Sequence, residues 1–124
     1  MNGSSLIIDT NIALYLLSGN EWLANTLNGS QIYISFITEL ELLGYKNISL
    51  AEQKNIKHFI SECIIIDIND AIKKHVIEIR KFQSIKLPDS IIAATALYLE
   101  LPLFTADKGY KHISDLPVLL YSPK

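Results

Sequence analysis

Ser5-Leu6-Ile7-Ile8-Asp9-Thr10-Asn11-Ile12-Ala13-Leu14-Tyr15-Leu16-Leu17 opens with a short buried strand, Ser5 to Ile8. It turns through Asp9-Thr10-Asn11 and continues as an apolar-periodic helix to Leu17, stopped by Ser18-Gly19. Further helices and strands follow. A helix is expected over Glu21 to Leu27, closed by Asn28-Gly29, and a second strand over Gln31 to Ser35. A helix from about Phe36 to Tyr45 follows, then one capped by Ser49 and running to about Ser61, with Glu52 placed for a capping box. Cys63 to Ile68 is short and rich in β-branched residues, which favours a third strand over a buried helix. Asn69 or Asp70 starts a long helix to about Phe82, and Asp89 heads the next. Leu103 to Thr105 reads as a fourth strand, Asp107 to Ile113 as a short helix, and Val118 to Tyr121 as a last strand before Pro123. Strands that alternate with helices and are apolar on both faces imply a mainly parallel sheet of four to five strands covered by helices on each side. The expectation is one three-layer α/β/α domain spanning residues 1–124, without repeats or linkers.

With 124 residues, 49% of them hydrophobic, the chain can bury a substantial core. Its longest apolar runs fall well short of the ~20 residues needed to span a bilayer, and Leu6 to Ile8 is followed at once by Asp9. A cytoplasmic protein with no membrane segment is expected. Cys63 is the only cysteine, which excludes an internal disulfide or a thiolate zinc cluster and fits core packing. The net charge of −2 is unevenly spread. Residues 1–45 hold four acids and no Lys or Arg, whereas the rest holds eleven bases and nine acids. Between positions 73 and 86, Lys73, Lys74, Arg80, Lys81 and Lys86 face only Glu78, as either a solvated face or a polyanion track.

In an open parallel sheet, functional groups collect outside the carboxyl ends of the strands. Asp9 and Asp107 follow strands directly or after two residues, Asp89 heads a helix, and Glu41 lies within the helix after the second strand. Four acids can therefore converge. Asp is also a favoured helix cap worth about 1 kcal/mol, so Asp9, Asp89 and Asp107 each admit that simpler role. Glu39 and Glu41 point about 200° apart on a helix, so only one of them can face the site, and periodicity does not choose between them. Carboxylates crowded into a partly dry cleft require a cation or a proton. Oxygen-only ligands suit Mg2+ or Mn2+, and such an ion can activate water against a phosphodiester without a serine or cysteine nucleophile.

Four fragments, in order, resemble the motifs of PIN domains, in particular the small toxin nucleases of the VapC type. They are Ile7-Ile8-Asp9-Thr10-Asn11, the stretch from Ser35-Phe36-Ile37-Thr38 to Glu41-Leu42-Leu43-Gly44, Pro88-Asp89-Ser90-Ile91-Ile92-Ala93-Ala94-Thr95-Ala96, and Leu103-Phe104-Thr105-Ala106-Asp107. The resemblance implies that Asp9, Glu41, Asp89 and Asp107 bind Mg2+ or Mn2+, and it chooses Glu41 over Glu39. It makes Thr10 and Thr105 supporting hydroxyls. It also implies endonucleolytic cleavage of RNA, an antitoxin that inhibits by occupying the site, and homodimers. Lys86, Lys108 and Lys111 are the candidates to hold the RNA backbone, Lys86 first. Two departures concern loops: Leu99-Glu100-Leu101-Pro102 stands where the family often has a glycine, and Gly109-Tyr110 replaces a usual acidic-aromatic pair. Trp22, Leu23 and the apolar first helices are either core or dimer surface.

Rival readings fit less well. A haloacid-dehalogenase-like phosphatase needs a second Asp where Asn11 stands, a receiver-like module needs a clustered acidic pair, and a Rossmann nucleotide site needs a glycine-rich first turn. His58, His75 and His112 are too scattered for a metal motif. A PIN nuclease of RNA processing, or a PIN-like module that binds RNA or protein without cutting, remains the alternative to a toxin.

Overall fold

The computed structural model describes residues 4–122; Pro123, expected after the last strand, lies outside them. Five strands form one sheet: β1 (Ser5–Ile8), β2 (Gln31–Ser35), β3 (Ile64–Ile66), β4 (Leu103–Thr105) and β5 (Val118–Leu120). Their order is β3-β2-β1-β4-β5, and every neighbouring pair is parallel. The helices are α1 (Thr10–Leu17), α2 (Glu21–Leu27), α3 (Phe36–Leu43), α4 (Leu50–Ser61), α5 (Asp70–Phe82) and α6 (Leu87–Leu99), with a 3-10 helix over Lys108–His112.

The two-residue period of β1 divides the core. Leu6 and Ile8 join Ile12, Leu23, Ile34, Leu42 and Phe104 on the face covered by α1 to α4. Ile7 joins Ile72, Ile92, Ala93, Ala96 and Leu103 on the face covered by α5 and α6. Because both faces of β1 are buried, the strand is apolar without alternation, as the three-layer expectation requires. Residues 92–96 of α6 are all buried, and the small side chains of Ala93, Ala94 and Ala96 let that helix sit close in its layer.

Local chemistry moves several boundaries. The third strand is shorter than the expected Cys63 to Ile68: it covers Ile64–Ile66, and beyond it the Asp67 carboxylate accepts the Ile68 N–H, a local bond that competes with the sheet ladder. Helix α3 stops at Leu43 rather than Tyr45: the Gly44 N–H closes on the Leu40 carbonyl, and a Cβ at 44 would come within 2.9 Å of that oxygen. The segment from Asp107 forms a 3-10 helix, and the last strand ends at Leu120. Asp89 does not head its helix. Helix α6 begins two residues earlier, with Pro88 in its first turn and no side chain capping it. The Trp22–Leu23 pair divides: Leu23 is fully buried, while Trp22 is exposed and stacks on Tyr121. Cys63 is partly buried beside the core, where desolvation pushes its thiol up to about 11.

With β2 on one side of β1 and β4 on the other, strand order reverses at β1, and a crevice opens between the carboxyl ends of β1 and β4. Helix α6 returns to β4 through Glu100, which adopts φ 56°, the left-handed conformation that a glycine accepts without strain. Replacing Glu100 by Gly should therefore raise unfolding stability by about 1 kcal/mol, measured as a higher midpoint in urea at unchanged slope.

Candidate active site

Asp9 follows β1 directly and caps α1, its Oδ1 accepting the Ile12 N–H at 3.0 Å. Its Oδ2 accepts a hydrogen bond from the Thr105 hydroxyl at the end of β4. The same hydroxyl accepts the backbone N–H of Asp107 at 3.0 Å, so one side chain joins the first and fourth acidic motifs across the crevice. Asp107 in turn caps the 3-10 helix through the Gly109 N–H at 2.8 Å. Capping and membership of an acidic site coexist at both positions, because a carboxylate has more lone pairs than the cap consumes.

Glu41 reaches the crevice from the last turn of α3. Thr10 of α1 donates to its Oε1 at 2.6 Å, and since that uses the Thr10 proton, the buried Thr38 is the donor in the 3.0 Å contact between the two threonines. Asp89 arrives from the first turn of α6, where the helix dipole favours an acid. Asp9, Glu41, Asp89 and Asp107 together line one cavity of about 380 Å³. Glu39 is not among its lining residues, because its neighbour two places along the helix takes the inward direction.

Asp9 is only 4% exposed, and burial raises its pKa; the Thr105 and Ile12 hydrogen bonds oppose the rise, and the charges of Asp107 and Asp89 add to it. Burial also raises Asp89, opposed by the Tyr110 hydroxyl and Lys86 and reinforced by Asp107 and Glu41. Tyr110 is pushed far up, first by burial and then by the three aspartates, so its hydroxyl stays protonated beside them. The ion pairs among the described residues join His58 to Glu62, Lys73 to Asp70 and Lys81 to Glu78, and none of them reaches the four acids.

Of the three lysines, Lys86 lines the cavity, whereas Lys108 and Lys111 stand on the exposed 3-10 helix outside it. Asn11, Tyr45 and Tyr110 also line it, though the sequence reading assigned them no site role. Tyr110 carried the one available signal, a polar-tipped aromatic one helical turn past Asp107. Tyr45 enters because Gly44 ends α3 before it. Thr38 gave no signal, since a threonine within a helix is ordinary.

Among the described residues, no three His, Cys, Asp or Glu side chains already stand as a coordination cluster. The fit to a metal is one of donor chemistry: carboxylate oxygens that repel one another, carry no paired counter-charge and include no sulfur or imidazole suit a hard divalent cation.

Both raised acids hold protons in the folded chain that the unfolded chain has released, over a window starting at the ordinary value of 3.8 and extending upward. Across it the contribution of these two groups to the stability of the metal-free protein falls as pH rises. With chelator present, the thermal midpoint of the double variant Asp9→Asn, Asp89→Asn, minus that of the wild type, should grow with pH through this window and then level off. A difference that is flat or shrinks would contradict the assignment.

No curated protein sequence matches this chain. Solved structures do. A chain of VapBC2 from Rickettsia felis, bound to a DNA fragment from its promoter, aligns with TM-score 0.84 and 24% identity over 95% of this chain and 99% of that one. A toxin–antitoxin complex from Klebsiella pneumoniae gives TM-score 0.78 and 31% identity over 92% and 95%, and FitAcB from Neisseria gonorrhoeae gives 0.75 and 26% over 91% and 95%. The family model of the PIN domain matches residues 6–116, a span that holds all four acids, and the chain is a member of the PIN domain family.

Proposed function

We propose that this chain is a divalent-cation-dependent endoribonuclease and the toxin of a toxin–antitoxin pair. In this reading it uses Mg2+ or Mn2+, cuts RNA in the cytoplasm, works as a homodimer and is held inactive by a cognate antitoxin protein. The observation that carries the reading is the convergence of carboxylates from four separate elements on one cavity at the sheet's switch point. Family membership supports the nuclease chemistry, and the Klebsiella pneumoniae toxin–antitoxin complex, at 31% identity, supports the toxin role and the antitoxin partner. Among the described residues no helix is long and apolar enough to cross a membrane.

Asp9, Glu41, Asp89 and Asp107 are the residues that would hold the cation. When bound, it lowers the pKa of a water and offsets charge on the attacked phosphate. Asp9 is held from two directions, by the Ile12 N–H and the Thr105 hydroxyl, so the most buried acid is fixed before substrate arrives. Thr10 does the same for Glu41, with Thr38 behind it. Tyr110, protonated and buried, places a hydroxyl beside Asp89. Lys86 supplies the positive charge on the cavity wall that a phosphodiester backbone needs once the acids are neutralised.

Purified protein should cleave structured RNA with Mg2+ or Mn2+ and stop on chelation. Asp9→Asn, Asp89→Asn and Glu41→Gln should each slow cleavage by about 100-fold or more, and Thr105→Val by about 10- to 100-fold, while Glu39→Gln stays within a few fold of wild type. Undiminished cleavage by the Asp9 and Asp89 variants would sink the proposal.

A further inference from the structure

Beside the acid cavity lies a second one of about 320 Å³, walled by Gln83, Ser84 and Lys86 from the α5–α6 connection and by Tyr110 and His112 from the 3-10 helix. Lys86, Asp89, Asp107 and Tyr110 line both cavities. A polynucleotide whose phosphate sits among the acids must run on past this shared wall. The wall's composition decides which part of the next nucleotide enters. Asp89 and Asp107 repel a second phosphate, which stays at the Lys86 rim, whereas an uncharged base meets no such barrier.

The second cavity also has the inventory that a base requires. Ile85 and Ile113 give it apolar surface. Gln83 spends one N–H on the His112 carbonyl at 2.8 Å, which fixes its amide plane and leaves its carbonyl oxygen and other N–H as an acceptor–donor pair. The exposed Ser84 hydroxyl and His112 ring stand at the rim, the latter a surface on which a base can stack. The volume lies at the lower end of small-molecule sites, about 300–1,000 Å³, which admits one splayed-out nucleoside and no duplex.

We propose that this second cavity binds the unpaired base of the nucleotide adjoining the scissile phosphate, and so sets which RNA sequence is cut. The inference rests on the nuclease reading, and its test separates the two. Single-stranded RNA carrying 4-thiouridine is photocrosslinked to the whole wild-type protein in chelator, and the attached peptides are located by mass spectrometry. Attachment within residues 83–86 or 109–113 is expected; attachment only elsewhere, or none, overturns the subsite whether or not the protein cuts RNA. In a second measurement, cleavage sites on a randomised single-stranded RNA pool are sequenced for wild type, Gln83→Ala and His112→Ala. Nucleotide preference at one position beside the cut should weaken by about tenfold in the variants, and an unchanged profile overturns the subsite. Crosslinks in the cavity without metal-dependent cleavage would retain the subsite and overturn the nuclease.

Discussion

The hydroxyl of Thr105 stands between the Asp9 carboxylate, to which it donates, and the Asp107 N–H, from which it accepts. That bridge exists because β1 and β4 are direct neighbours with their carboxyl ends at one edge, Ile8 registered against Phe104. Burying Asp9 costs free energy that close donors offset in part, and Thr105 and Ile12 are those donors. The rest of the site is hung from this join. Helix α1 starts on Asp9 and carries Thr10 toward Glu41, and the turn after β4 carries Asp107 and Tyr110 toward Asp89.

The arrangement holds charge in reserve. Burial and mutual repulsion both raise Asp9 and Asp89, and no ion pair described in the chain relieves them. Repulsion of this kind is a liability for the chain alone and an asset once a cation enters, because each carboxylate then exchanges an unfavourable neighbour for a favourable one. Lys86 moderates Asp89 from the rim without pairing with it, which leaves the lysine available to a phosphate.

Much of this was legible in the chain. Asp9, Asp89 and Asp107 announce themselves as acids placed against strand ends or helix starts, and the short apolar runs that precede Asp9 and Asp107 read directly as buried strands. Glu41 was legible only through its motif, since helical geometry excludes a shared site with Glu39 without saying which of the two turns inward. Thr38, Tyr45 and Tyr110 were not legible as site residues. A threonine inside a helix and a tyrosine after a glycine have ordinary uses, and Tyr110 offered only a polar-tipped aromatic one helical turn past Asp107, too common a pattern to mark it.

By itself the sequence determined the elements, their alternation and the parallel sheet, because periodicity, caps and apolar strands act over a few neighbouring residues. It also made a gathering of acids at the carboxyl edge possible, while leaving each aspartate a simpler role as a helix cap. Strand order, and with it the pairing of β1 with β4 across nearly a hundred residues, was decided only in the tertiary structure. So was the second cavity beside the first, with the four residues the two share. Each of these depends on how two distant segments pack. Contacts of that kind are fixed by the whole core at once, and no local pattern of residues encodes them.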